Sequence, residues 1–323
     1  MLYPDLFRAL VAEASLAPSV HNIQPTRWRL LDDSIAVLAD PARRLPIGDP
    51  EGRDVAVSHG CAVEGLSLAA AARGLRLAVQ PGGSAVAALT LDGAAEPDPL
   101  AAQVSRRRTY RGRFEPAAEV SAACDALAYV HADLVVVQAP SRIADLAALY
   151  DEASLRWFRR SAYRAELLSW MRLSRRDPNW THDGLNAQAM EMSSIEALGA
   201  GLVLKPGIFE ALDRVGAAGS LVAEAPVVRT AAGIALFHRP ADEAPFETGR
   251  RFYRLWLAFT AAGLSASPMA VLADDPETSA TLAAEYGLSP DCRLITAFRL
   301  GVAPQRALPP KPRLSLETLI LPA

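Results

Sequence analysis

The feature that most narrows what this chain can fold into is an internal repeat. Residues 60–75 and 249–264 align without a gap. Each run opens on glycine, Gly60 or Gly249, and carries leucine at the matched pairs Leu66/Leu255 and Leu68/Leu257. Each closes on Gly-Leu, with Gly74 and Gly263 placed for a left-handed helix C-cap. The parallel continues downstream. A short strand-like run with a proline follows each helix, Pro81 or Pro268, and then an apolar strand closing on glycine, ALTLDG in one half and AFRLG in the other. Ala-rich helices ending in Gly-Leu also recur by composition alone, so it is the repeated order of helix, strand and strand that implies two copies of one unit.

A chain of 323 residues accommodates one large domain or two fused units. Its formal net charge of -3 is too near neutral for a dedicated nucleic-acid binder, so a small-molecule partner is expected. Cys61, Cys124 and Cys292 stand apart with no C-x-x-C pair, which argues against a disulfide framework and against zinc, and for reduced thiols. His21, His59, His131, His182 and His238 show no i, i+4 pair, so no metal site is expected. Asp5, Arg8 and Glu13 interrupt what would have to be an apolar signal core, and no later run is apolar enough to span a bilayer. A cytoplasmic protein with no membrane partner is the expectation.

The segment DGAAEPDPLAAQ, residues 92–103, is rich in Pro, Asp and small residues and reads as a linker, which divides the chain into units 1–98 and 99–323. RWRLLDD and SIAVLAD predict a strand pair in the first unit, and ADLVVVQAP predicts a β-branched strand after His131 in the second. Residues 141–175 have helical spacing, with Leu149, Tyr150, Leu155, Trp157, Phe158, Leu167, Leu168 and Trp170 on or near buried faces. The predicted class is α+β: two tandem, degenerate units, each an antiparallel sheet with packed helices, forming a pseudo-dimer within one chain.

Three polar segments carry the chemistry. APSVHNIQPTRW places Pro18, Ser19, His21, Asn22 and Gln24 in a short loop closed by Pro25; it reads as a donor-rich site or as an ordinary capped helix end and turn. SRRRTYRGRFEP gathers Arg106, Arg107, Arg108, Thr109, Arg111 and Arg113, a pattern that most often is a solvated face. With no stacking aromatics interleaved beyond Tyr110, a nucleic-acid patch is the least favoured reading. PPKPRLSLETLI sets Lys311 and Arg313 two apart in a proline-stiffened stretch that reads equally as a tail.

Together these segments resemble the nitroreductase family of flavoproteins, in particular its tandem members, over nearly the whole chain. Arg107, Thr109 and Arg111, with Arg108 between them, match the family's R-x-S/T-x-R/K element, and Lys311 and Arg313 match its C-terminal K-x-R pair. The resemblance implies that these residues hold the phosphate of flavin mononucleotide (FMN), a role that suits Arg forks and a hydroxyl. It places Arg111 beside N1 and O2 of the ring, where positive charge favours the reduced flavin. Pro18, Ser19, Asn22, Gln24 and Pro25 match a P-S-x-x-N-x-Q-P loop that reaches the flavin from the other half of the dimer. One flavin per chain is implied, because the first unit lacks an Arg-rich opening and the second offers only Asn186 and Gln188, in DGLNAQAMEMS, as an echo of the loop.

Further expectations follow from the resemblance. Pro268, Met269 and Ala270, flanked by Ser267 and Val271, occupy a turn whose backbone contacts the flavin N5 edge, although Ala270 and Val271 replace the acidic residue and glycine often found there. His21 and Thr26 are placed in the substrate pocket, with Thr26 standing where an aromatic is usual; His21 reads equally as a turn residue facing solvent. Arg164, Glu166, Trp170 and Arg172 form a charged and aromatic stretch able to cover the ring. No G-x-G-x-x-G follows a strand, so NAD(P)H would dock transiently over the flavin. The implied activity is alternating hydride transfer from NAD(P)H through FMN to a nitroaromatic, quinone or similar acceptor, with no catalytic side chain because the flavin does the chemistry. Two rivals stand beside it: a flavin oxidase or dehydrogenase acting on a biosynthetic intermediate, and a flavin-sequestering stress protein without turnover.

Overall fold

The computed structural model describes residues 2–117, 119–305 and 311–322. Its first part runs α1 (Pro4–Ala14), β1 (Thr26–Leu30), β2 (Ser34–Ala39), α2 (Arg53–Ala71), β3 (Leu75–Pro81) and β4 (Ala87–Ala94). Next come α3 (Val120–Val130), β5 (Leu134–Val137), α4 (Pro140–Phe158), α5 (Ser161–Trp170), β6 (Met171–Arg172), β7 (Leu185–Asn186), α6 (Ser194–Val203), α7 (Ile208–Arg214), α8 (Ala218–Val222) and α9 (Ala225–Val228). The chain closes with β8 (Gly233–Pro240), α10 (Pro245–Ala261), β9 (Ser265–Pro268), α11 (Val271–Asp274), α12 (Pro276–Glu285), β10 (Cys292–Gly301) and α13 (Leu316–Leu319).

The repeat is visible in the strand order. One four-stranded antiparallel sheet is ordered β1-β2-β4-β3 and the other β5-β8-β10-β9, which is one topology used twice. In each, a long helix, α2 or α10, precedes the third strand. Proline at N1 and a short acidic first turn start α1 and α10; Phe7, Leu10, Val11 and Ala14 make one apolar stripe on α1, while α10 is buried on two sides, Phe246, Tyr253 and Leu257 on one and Leu255, Trp256 and Phe259 on the other. The long helices pack directly on each other, and Phe246, Tyr253 and Leu257 of α10 share one core with Val63, Leu66 and Ala70 of α2. Glu64 of α2 is buried there and pairs with Arg250 at 2.9 Å and Arg254 at 2.8 Å from α10. The class is therefore α+β with two like sheets, as the repeat predicted.

The copies differ at several connections, and most at the one after the first strand. A tight turn joins β1 to β2, with Leu31 N–H donating to the Ser34 carbonyl at 2.8 Å. The corresponding strands β5 and β8 are separated by everything from 138 to 232. That insertion also corrects two expectations. The helical stretch 141–175 is two helices, interrupted at Arg159 and Arg160, whose side chains engage Asp213 at 3.0 Å and the Trp157 ring at 4.5 Å. Asn186 and Gln188 are not the counterpart of the 18–25 loop, because the connection between α3 and β5, which is the equivalent position, is only residues 131–133.

The C-terminal residues return to the first sheet. Ile320 bridges Trp28 in parallel, Leu321 N–H donates to the Trp28 carbonyl at 2.8 Å, and α13 packs on α1. The stretch 311–315 is thereby held over the 18–25 loop; Pro309 and Pro310, which begin the predicted segment, lie outside the described residues. No helix among the described residues is long and apolar enough to cross a membrane.

Candidate functional site

The loop after α1 is built on unusual backbone. His21, Asn22 and Gln24 have φ of 43°, 55° and 50°, three of the four left-handed non-glycine residues in the described chain. Such conformations cost of order 1 kcal/mol each and persist only where the surroundings over-determine them. Here they do. Ser19 Oγ accepts from Gln24 N–H at 3.0 Å, and Ser58 Oγ, on α2, accepts from Val20 N–H at 3.0 Å. Asn22 Nδ2 donates to the carbonyls of Gly184 and Pro312 at 3.2 and 3.3 Å. Gln24 Nε2 donates to the His182 carbonyl at 2.8 Å while its Oε1 accepts from Leu314 N–H at 2.9 Å. The amides of Asn22 and Gln24 therefore clamp three segments together: the N-terminal loop, residues 181–184 of the insertion, and the C-terminal stretch.

Arg313 sits at the centre of that clamp. Its guanidinium donates to the carbonyls of Ser15 (2.5 Å), Leu16 (3.1 Å) and Ala17 (3.3 Å) at the C-terminal end of α1, and to Asn22 Oδ1 at 3.0 Å. Arg107 reaches the Leu16 carbonyl at 3.1 Å. It is only 3% exposed, lies 4.6 Å over the Trp256 ring, and its Nε and Nη1 have no hydrogen-bond partner among the described residues. Lys311 Nζ contacts the carbonyls of Val104 and Ser105 at 3.4 and 3.5 Å, and Arg108 donates to the Ser105 carbonyl at 2.6 Å.

These four basic side chains are close neighbours, and none is ion-paired to a carboxylate among the described residues. Burial, then the charges of Arg107, Arg108 and Arg313, pushes Lys311 down to about 5. Burial and then Arg107 bring Arg313 down to about 9. A group of like charges held together without a counter-ion is unfavourable by itself and favourable to an anion, so the residues fit a phosphate. Arg107 contributes through its field, since its unpartnered nitrogens are shut off from solvent.

The arginine segment continues along the edge of β9. Thr109 bridges Ala266 in parallel, and Tyr110 N–H donates to the Ala266 carbonyl at 3.1 Å. Beyond it, Arg111 donates to the Ala189 carbonyl at 3.4 Å. Burial and the Arg111 charge hold His21 down at about 4, which makes the loop histidine of the first unit a neutral neighbour of the arginine from the second. Burial lowers Arg111 and raises Tyr150 and Glu224, which interact with one another and with Arg299. His21, Arg111, Tyr150 and Glu224 all keep accessible surface. These groups feel one another's charge and still meet solvent, and they come from both sides of the boundary between the units.

Other expected residues fall elsewhere. Thr26 is 5% exposed and hydrogen-bonds His59 Nδ1 at 2.8 Å, so it belongs to the core beside a cavity of about 30 Å³ with room for little more than a water; burial first, then Arg27, holds His59 at about 4. Strand alternation turns it inward. Pro268 and the exposed Ala270 lie at the turn after β9, but Met269 packs in the core with Leu272 and spends its N–H on the Ala297 carbonyl at 2.7 Å. Arg164 is buried against the Phe209 ring and pairs with Glu210, while Glu166 accepts from Ile47 and Gly48 N–H at 2.9 and 2.6 Å. Arg172 shares Asp183 with Arg43, at 2.7 and 2.9 Å. The contacts of Glu166 with Ile47 and Gly48 and of Asp183 with Arg43 tie the insertion to the first unit. The sequence reading missed Asp183, Tyr150, Glu224 and Arg299 as site neighbours; only the Asp183-Gly184 pair carried a signal, that of a turn.

No family model matches the chain. Two curated proteins of Mycobacterium tuberculosis are similar to it over 74 residues: "Putative NAD(P)H nitroreductase Rv3131", at 36% identity, and "Putative NAD(P)H nitroreductase acg", at 35%. The chain is similar to nitroreductases. Each match spans about a fifth of both partners, 22% of the chain and 22% of the first relative, and 23% and 22% for the second. Among solved structures, a nitroreductase with bound FMN from Bacteroides fragilis aligns over 68% of the chain and 95% of its own, at 13% identity and a TM-score of 0.37. The FMN-dependent nitroreductase NfnB from Mycobacterium smegmatis, in complex with NADPH, aligns over 67% and 94%, at 19% identity and a TM-score of 0.38.

Proposed function

We propose that the chain is an FMN-dependent oxidoreductase of nitroreductase type, holding one FMN between its two halves and acting as its own dimer, with unit boundaries near residue 98. The observation that carries the reading is the uncompensated charge of Arg107, Arg108 and Arg313, with the Lys311 amine beside them ready to take a proton when an anion arrives. That charge suits the phosphate of FMN, which charge-assisted hydrogen bonds from Arg108, Lys311 and Arg313 would hold. From there the segment through Thr109 leads to Arg111 and His21, where this reading places a recess for the ring between the halves, with Pro268 and Ala270 at the turn after the neighbouring strand.

Bound there, FMN supplies two-electron transfer between a nicotinamide donor and an organic acceptor. The chain's own part is to bind and orient. Arg111 sets a positive field at the recess, and neutral His21 offers a hydrogen-bonding edge without adding charge. Ser19, Asn22 and Gln24 fix the loop that carries His21, so their contribution is to position the wall of the site. NAD(P)H and a nitroaromatic, quinone or similar acceptor would use the recess in turn, which requires no acid or base from the chain.

The test is the visible spectrum of the purified protein, acid release of any pigment, and anaerobic mixing with NADH or NADPH. Near-stoichiometric FMN that is bleached by a reduced nicotinamide supports the reading. A colourless chain that fails to take up FMN overturns it. Arg107→Ala with Arg313→Ala is expected to lose the flavin. Because Arg313 also holds the C-terminal stretch, Arg108→Ala with Lys311→Met provides a second variant that leaves the clamp intact.

A further inference from the structure

The repeat gives the group of Arg107, Arg108, Lys311 and Arg313 a counterpart on the other side of the helix crossing. In the register that matches Gly60 with Gly249, Cys61 matches Arg250, Glu64 matches Tyr253, Gly65 matches Arg254 and Ser67 matches Trp256. The contacts follow that register. Tyr253 lies near Cys61 and against Gly65, where a Cβ would meet its ring at 3.4 Å. Glu64 lies against their counterparts, Arg250 at 2.9 Å and Arg254 at 2.8 Å. Tyr253 and Glu64 therefore mark two related places.

The two places differ in charge. Beside Tyr253 are Arg107, 5.9 Å over its ring, and Arg313, both from the group without a carboxylate. Beside Glu64 the cations come from α10 itself and are compensated. Glu64 is buried against them, and Asp98, from the segment joining the units, reaches Arg254 at 2.7 Å. Leu100 N–H holds Asp98 in place at 2.9 Å, and Glu247 adds a looser contact to Arg250 at 3.6 Å. One turn from Glu64 on the same face of α2, the buried Ser67 hydroxyl has no hydrogen-bond partner among the described residues. Two guanidinium groups and a spare hydroxyl are what a phosphate takes, and here two carboxylates stand among them.

We infer that Glu64 and Asp98 are built-in substitutes for an anion at this second place, so that the chain closes the counterpart of its anion site with its own carboxylates. The inference rests on the reading that the Arg107 group takes a phosphate. An anion arriving beside Arg250 and Arg254 is repelled by carboxylates already at ion-pair distance. Without those carboxylates, two partly exposed guanidinium groups lack counter-charge, which is the condition at the first place. A single flavin per chain then has a cause beyond the missing loop.

The experiment is thermal melting of the full chain in inorganic phosphate, against chloride at the same ionic strength. A ligand held only by the folded chain stabilises it, so Glu64→Gln with Asp98→Asn should gain about 2 °C or more beyond the gain of the wild type. Asp98→Asn alone keeps Glu64 in place and an amide oxygen for Leu100; it should gain less than the paired variant and more than the wild type. Adding Arg254→Met to the paired variant should cancel the extra gain. If either the paired variant or Asp98→Asn gains no more than the wild type, or if the extra gain survives Arg254→Met, the inference is overturned. A wild type that gains nothing sinks the reading of the Arg107 group instead, and the extra gain of the paired variant still decides the role of Glu64 and Asp98.

Discussion

Gly60 and Gly249 occupy matching places in the two copies, and each is where the other helix's backbone comes closest. A Cβ on Gly60 would lie 2.0 Å from the Phe246 carbonyl oxygen, and one on Gly249 would lie 2.1 Å from that of Val57. Val57 and Phe246 each stand three residues ahead of a matched glycine, so the contact is reciprocal. The backbone on which both loop and cation group are hung is fixed by this crossing. Gly60→Ala should therefore destabilise the chain by about 2 kcal/mol or more, because the obstacle is backbone and cannot swing aside. Calorimetry checks this; a melting temperature equal to the wild type's would show that the helices do not cross so closely.

Lys311 gives binding a proton signature. Held at about 5 in the flavin-free chain, it is largely neutral at pH 7. A phosphate beside it raises that value, so FMN binding at pH 7 should take up close to one proton. Calorimetry in buffers of different ionisation enthalpy measures the uptake, and Lys311→Met should abolish it. The same group affects stability. Between about pH 5 and the ordinary lysine range the unfolded chain binds a proton that the folded, flavin-free chain does not, so stability rises with pH across that window. Lys311→Met should flatten the slope, and an unchanged slope would place the lysine in solvent.

His21 should titrate near 4, as burial and the Arg111 charge both hold it neutral. Its effect on stability is confined to the window between that value and the ordinary 6.5: as pH falls through it, the unfolded chain takes the proton first and the fold weakens. Arg111→Gln removes one of the two causes and should raise the His21 value in an NMR titration. His59, shifted by burial and Arg27 instead, serves as the internal control and should not move. A His21 resonance titrating near 6.5 in the wild type would mean that it faces open solvent.

Asp183 accepts from both Arg43 and Arg172, at 2.9 and 2.7 Å, and is itself buried. Asp183→Ala leaves two arginines without their carboxylate in a closed place, a loss of about 3 kcal/mol or more. Residues 181–184 should then release from Asn22 and Gln24, and hydrogen exchange should quicken in both the 19–24 loop and the 181–187 segment. Faster exchange in the insertion alone would show that the loop keeps its left-handed backbone without the clamp.

Much of the architecture was legible in the chain. The order of Gly-opened helix, proline-bearing strand and Gly-closed strand announced two like units because each element carries its own local signal: a C-cap glycine, a period, a β-branched run. The hairpin of β1 and β2 was legible for the same reason. The Ser19–Gln24 loop and the arginine segment were recognised as motifs, yet the sequence did not say how they are used. Asn22 and Gln24 read as cofactor donors, whereas their amides meet carbonyls of residues 181–184 and 312. Thr26 read as a pocket residue because it follows the loop, but strand alternation turns it toward His59.

What the sequence determined by itself was the repeated unit, its class, and which residue types gather for anion chemistry, since spacing along the chain fixes local periodicity and capping. Which residues meet was decided only by tertiary structure. The insertion between β5 and β8 brings Asp183 to Arg43, and the returning C-terminus carries Lys311 and Arg313 to Arg107 and Arg108. Burial, rather than composition, then turns a basic run into a cation group short of counter-charge. The shifts of Lys311 and Arg313 arise from distance and desolvation, and neither quantity exists until the chain has closed on itself.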